Sequence, residues 1–131
     1  MLIPGIFIND SHTPFTDYIL RGWKTAETRS RDMLRLLVGK RIAIVRTGIG
    51  RATIVGYATI SEKEWVSAEE FPNRQNQTCV IPGSRFDCKG KGKWLYHLTD
   101  VESVGPYPLP KNAIRHGMSW CEFNPYENEE D

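Results

Sequence analysis

Lys24, Glu27 and Arg29 lie close together in the stretch Gly22-Trp23-Lys24-Thr25-Ala26-Glu27-Thr28-Arg29. The lysine and arginine supply cationic donors. A carboxylate between them can orient those donors, take up a proton or accept hydrogen bonds from a base edge. Two kinds of chemistry suit such a trio. One is recognition of a phosphate or nucleobase, and the other is stabilisation of negative charge developing in a hydrolytic step. A lysine keeps its proton up to about pH 10.4, and only burial or a nearby cation makes it a nucleophile or base near neutrality. Arg29 pushes Lys24 in that direction and Glu27 opposes it. Read from the residues alone, the trio also fits a surface ion-pair cluster, which is worth little energetically.

The elements around the trio decide whether its members can meet. Phe15, Tyr18 and Ile19 recur at helical spacing. They predict a helix up to about Arg21, with Ser11 or Thr13 as cap, Pro14 at its first position and Gly22 as the left-handed stop. Thr25 to Arg29 then reads as a short strand, which puts Thr25, Glu27 and Arg29 on one face. Glu27 and Arg29 would be about 7 Å apart at the backbone, within reach of each other. Lys24 sits at the corner, where the turn swings it towards the same pocket. Met33, Leu34, Leu36 and Leu37 predict a second helical turn, from Ser30 or Arg31 to Val38 and ended by Gly39.

Leu2–Ile8 fits a first strand, Arg41–Arg46 a second and Ala52–Ser61 a third, with Gly56 marking a bulge or close backbone approach. Gly48 and Gly50 lie in the hairpin connection between the last two. Because that connection joins strands, Gly48-Ile49-Gly50 lacks the helix N-terminus that phosphate-cradling loops need. Glu62–Phe71 carries Trp65, Ala68 and Phe71 at helical spacing and predicts a short helix. Pro72–Lys93 is a long connection rich in cations: Arg74, Arg85, Lys89, Lys91 and Lys93 against Asp87 alone. Its lysine–glycine tip suits phosphate contacts. Trp94–Val101 alternates like a strand. Pro106, Pro108 and Pro110 argue against regular structure beyond it, and Ser119–Phe123 is a last strand. These elements indicate an α+β domain with a mainly antiparallel sheet.

A chain of 131 residues with 40% hydrophobic and 25% charged residues is one globular domain. No apolar run is long enough for a membrane span, and the N-terminus lacks the features of a secretion signal. Cys79, Cys88 and Cys121 are odd in number and widely spaced, which favours reduced thiols and a cytoplasmic location. No paired Cys-x-x-Cys spacing supports a zinc site, and no cofactor is expected. Net charge is +1, but residues 124–131 hold four acids and no base. The rest therefore carries 17 bases against 12 acids, +5, which fits a basic domain over residues 1–123 with an acidic tail.

Gly22, Lys24, Glu27 and Arg29 match G-x-K-x-x-E-x-R, and in this the chain resembles the ASCH domain family of the PUA-like group. The segments Gly39–Ile44, Ala52–Ile60 and Trp94–Val101 look like that family's later strands. The resemblance implies a PUA-like β-pseudobarrel with two or three short peripheral helices. It also implies RNA, or a nucleoside-like small molecule, as partner. Lys24, Thr25, Arg29, Arg85, Lys89, Lys91 and Lys93 are the candidate binding residues, with Tyr18, Trp23 and Ser119 as further groups able to reach the pocket. Single-stranded RNA is read by stacking and polar contacts together, and Tyr57 and Trp65 are additional candidate stacking rings.

Some members of the family resemble ribonucleases. One branch hydrolyses N4-acetylcytidine with the signature lysine, but carries threonine where this chain has Glu27. Under either enzymatic reading, Lys24 and Glu27 are the catalytic candidates, with Glu62, Glu64 or His116 as other possible bases. His12 and His97 read as locally hydrogen-bonded histidines. A third reading is a coactivator-like interaction module that uses the acidic tail.

Overall fold

A computed structural model describes residues 1–126, so the acids expected in the tail from Glu127 onward lie outside the described residues. Seven strands form one sheet: β1 (Ile3–Asn9), β2 (Ala26–Arg29), β3 (Arg41–Thr47), β4 (Thr53–Val66), β5 (Lys93–Pro108), β6 (Ile114–His116) and β7 (Trp120–Phe123). Their order is β2-β5-β4-β3-β1-β7-β6. β1 runs parallel to β3, and the other pairings are antiparallel. Helix α1 spans Phe15–Leu20 and α2 spans Gln75–Thr78. This is the expected α+β architecture of a PUA-like pseudobarrel. The strand ladder itself does not close, because β2 and β6 are free edges.

Why β1 and β3 sit centrally follows from their composition. Ile6 and Ile8, with Ile42 and Ile44, enter the main core, which also holds Phe15, Ile19, Leu34, Leu37 and Tyr96. The alternate residues Phe7, Ala43 and Val45 enter a second cluster with Ile54, Leu109, Cys121 and Phe123. A strand buried on both faces must be apolar at nearly every position. Gly56 is required for a different reason. Any Cβ there would lie 2.6 Å from the Glu102 carbonyl oxygen and 2.6 Å from Leu20, and the β4–β5 register shifts beside it.

Several sequence expectations give way; the helical turn expected from Ser30 or Arg31 to Val38 shrinks to a 3₁₀ turn over Arg35–Leu37, and three others bear on the sheet and on α1. Residues 62–66 are not helical but continue β4, pairing with Lys93–His97 of β5. The strand wins because β5 supplies a ladder partner for each residue from Glu62 to Val66. The helical spacing of Trp65, Ala68 and Phe71 is coincidental, and Phe71 enters the core from a 3₁₀ turn over Phe71–Arg74. Second, Pro106 and Pro108 lie inside β5, whose far half is paired only to β4. That half is a sheet edge, where a missing N–H donor costs nothing. Third, helix α1 begins after Pro14 rather than at it, with no side-chain cap from the N-cap residue. Asp10 substitutes from upstream, accepting the Thr16 N–H at 3.1 Å and the Thr16 hydroxyl.

Candidate nucleotide site at the sheet seam

Gly22 ends α1 with φ +79°, and the N–H groups of Trp23 and Lys24 both donate to the Tyr18 carbonyl. This turn aims Lys24 inward, where it is 2% exposed. Its ammonium donates to the Thr78 carbonyl at 2.6 Å, lies 3.6 Å from Glu27 Oε1 and stands 4.7 Å over the Phe15 ring. Burial pushes the Lys24 pKa below its ordinary value, and the Glu27 carboxylate opposes that push.

Two residues along β2, Arg29 Nε donates to Glu27 Oε2 at 3.0 Å. The rest of its guanidinium crosses the gap that the strand ladder leaves open. One terminal nitrogen donates to the Phe7 carbonyl on β1 at 2.7 Å. The other donates to Ser119 Oγ at 3.0 Å, just ahead of β7. Arg29 therefore ties one edge of the open sheet to the strands at its other end. The trio is no surface cluster: the Glu27 and Arg29 side chains are 11% and 12% exposed.

Lys93 joins them unexpectedly. It is the first residue of β5 rather than part of the loop, and it is 7% exposed. Burial lowers its pKa, while the charge of Glu27 raises it. One carboxylate thus faces three cations: Lys24, Arg29 and Lys93.

A cleft of about 350 Å³ opens over this group, with Glu27, Arg29, Arg31 and Lys93 supplying charge and Phe7, Met33, Phe86 and Met118 supplying apolar wall. Asn9, Glu27, Thr28 and Phe86 are shared with a niche of about 30 Å³ that reaches Lys24. A niche of that size holds a water or a single functional group.

The remaining candidates lie elsewhere. Thr25 is exposed and lines a separate, shallow groove with Glu64, Arg74 and His97, so it does not share the face of Glu27. Tyr18 and Trp23 pack on each other at 5.6 Å at the end of α1, outside the cleft lining. Arg85 contacts His12 at 2.9 Å beside Phe86, while Lys89 and Lys91 are exposed on the loop. Glu62 and Glu64 belong to the shallow groove, and His116 pairs with Glu122 on the β6–β7 hairpin. Glu27 is the carboxylate that lines the cleft among the described residues. Sequence reasoning missed Arg31, Met33, Phe86 and Met118 as cleft residues. Arg31 alone carried a signal, its closeness to the signature.

Solved structures share this arrangement of strands. The ASCH protein of Zymomonas mobilis matches with a TM-score of 0.66 at 21% identity, covering 80% of this chain and 73% of that one. Two of its point variants match similarly, a tyrosine-to-phenylalanine form at 0.65 and 20% identity and a serine-to-alanine form at 0.64 and 21%. They cover 80% and 79% of this chain, and 76% and 73% of those chains. The chain has the ASCH fold. Within that fold, Lys24, Glu27 and Arg29 of this chain lie at the open seam of the sheet. No protein-family model and no curated protein sequence matches the chain. Among the described residues no helix is long and apolar enough to cross a membrane.

Proposed function

We propose that this protein belongs to the ASCH family and that its seam cleft recognises a nucleotide unit of single-stranded RNA, or a modified nucleoside. The observation that carries this reading is the charge arrangement: one buried carboxylate faces Lys24, Arg29 and Lys93, and Arg31 lines the same cleft. The surplus positive charge attracts a phosphate, and Glu27 remains available to a base edge. Phe7, Phe86, Met33 and Met118 provide apolar wall for the base. The family resemblance points to RNA as well. The test is fluorescence anisotropy with labelled single-stranded RNA. Wild-type protein binds, and affinity falls as salt rises, by roughly one counterion per phosphate contact. Salt-independent binding, or none, ends the RNA reading.

One observation favours a second reading, hydrolysis. Burial lowers the pKa of Lys24 and so enlarges the neutral fraction able to act as base or nucleophile. Turnover of single-stranded RNA or free N4-acetylcytidine, followed by mass spectrometry and lost in Lys24→Ala, would establish it. Intact substrates with wild-type protein would remove it for those substrates.

A further inference from the structure

Trp65 exposes 52% of its surface from β4, yet the indole is held in place. It packs edge-on against Trp94, with ring centroids 5.5 Å apart. Its other support is the Gly92 backbone, where a Cβ would fall 2.2 Å from Trp65 Cζ2. Only glycine allows the ring to lie there. Beside it, the Lys63 ammonium stands 4.7 Å over the Trp94 ring and pairs with Asp32, the neighbour in sequence of the cleft residue Arg31.

This aromatic pair lies beside the cleft, on the strands next to Arg29. In the sheet register Trp65 faces Trp94, and Trp94 faces Arg29. Two strand spacings, roughly 10 Å, therefore separate Trp65 from the arginine that lines the cleft. Charge also differs between the two faces of β4 here. Lys63 alternates with Trp65 on one face, and exposed Lys91 adjoins Gly92. Glu62 and Glu64 line the shallow groove instead. The aromatic side suits a polyanion and the other side repels one.

Building on the reading of the cleft as an RNA site, we propose that the Trp65–Trp94 platform stacks the base adjacent to the nucleotide seated in the cleft. The partner is then a single RNA strand of several nucleotides rather than a free nucleoside. A fixed, exposed indole provides a stacking face to any base, so the platform adds affinity without demanding a sequence.

The experiment measures binding of a fluorescein-labelled single-stranded RNA octamer of mixed sequence, with an unlabelled mononucleotide as competitor. It compares wild type, Trp65→Ala, Trp65→Phe and Lys24→Met, each checked for fold by circular dichroism. The expected result is octamer binding weakened roughly 5- to 100-fold in Trp65→Ala, with most of the affinity kept in Trp65→Phe and mononucleotide competition unchanged. Lys24→Met weakens both ligands. Octamer affinity indifferent to Trp65→Ala but sensitive to Lys24→Met overturns the platform and leaves the cleft standing. Sensitivity to Trp65→Ala without sensitivity to Lys24→Met overturns the link between them. If the wild-type protein binds neither ligand, platform and cleft reading fall together.

Discussion

Glu27 in the seam cleft and Glu64 in the shallow groove each stand between an arginine and a second basic group. Judged by contacts, Glu64 is the better served. Arg74 holds it with two hydrogen bonds, at 2.8 and 2.9 Å, and His97 lies 2.7 Å away. Arg74 is the main reason its carboxyl is held down to about 2. Glu27 has one hydrogen bond from Arg29 at 3.0 Å and a looser pairing with Lys24 at 3.6 Å. Solvent reverses the ranking. The Glu64 side chain is 37% exposed and the Glu27 side chain 11%. Water screens the first group and replaces any partner it loses. The second group is largely cut off from water, so each of its charges depends on the others. The number of contacts around a carboxylate is a poor guide to its role, and access to water is a better one.

The comparison breaks if the two arginines prove equally important. Arg29→Ala removes a largely buried partner and the tie across the sheet seam. It should cost about 3–5 kcal/mol in urea denaturation, against about 1 kcal/mol or less for Arg74→Ala. Equal losses would mean that burial is not the controlling variable. Lys24→Met keeps the length of the side chain and removes its charge. RNA affinity should fall about 10- to 100-fold, the worth of a charge-assisted hydrogen bond. Stability should also fall, by less than in Arg29→Ala, because Glu27 keeps its hydrogen bond from Arg29 and the cost of burying the Lys24 charge is removed with it. A large stability loss would mark Lys24 as structural.

Titration sharpens the contrast at both ends of the pH scale. The folded protein holds Lys24 below its ordinary 10.5, so approaching that value the unfolded chain binds more protons than the folded one. Stability contributed at this site therefore rises with pH in that range, and Lys24→Met should abolish the rise. Glu64 gives a slope of the same sign at the acid end, from the opposite cause: its charged form is stabilised by partners, where that of Lys24 is penalised by burial. Its pKa is depressed from 4.5 to about 2, so its contribution is complete above 4.5 and lost as pH falls towards 2. Glu64→Gln should flatten acid denaturation over that window. This is the smallest of the effects, because the group is exposed.

The heart of the site was legible because it is local. Strand periodicity put Glu27 and Arg29 within reach of each other, the Gly22 stop turned Lys24 inward, and Ser119 was named as able to reach the pocket. The rest of the cleft depends on tertiary contacts. Phe86 and Met118 arrive from segments far away in the chain, and no spacing rule connects them to Lys24. Lys93 was taken as one more lysine of a glycine-rich loop, because a strand beginning there is visible only once Val66 pairs with it. Trp65 was assigned to a helix because positions 65, 68 and 71 satisfy a helical period as well as its neighbours satisfy a strand. Pairing with β5 decides between them.

The place of β1 in the sheet bears on how the chain folds as it is made. This strand precedes the rest of the sheet in the chain, yet its two neighbours are β3 and β7. No nascent chain that stops short of residue 120 can cover its second edge. Until then an unpaired run of Ile3 to Asn9, rich in isoleucine, is open to pairing with other chains. Folding of the sheet thus waits until β7 has been made, and loss of β7 would expose the centre of the domain rather than its margin.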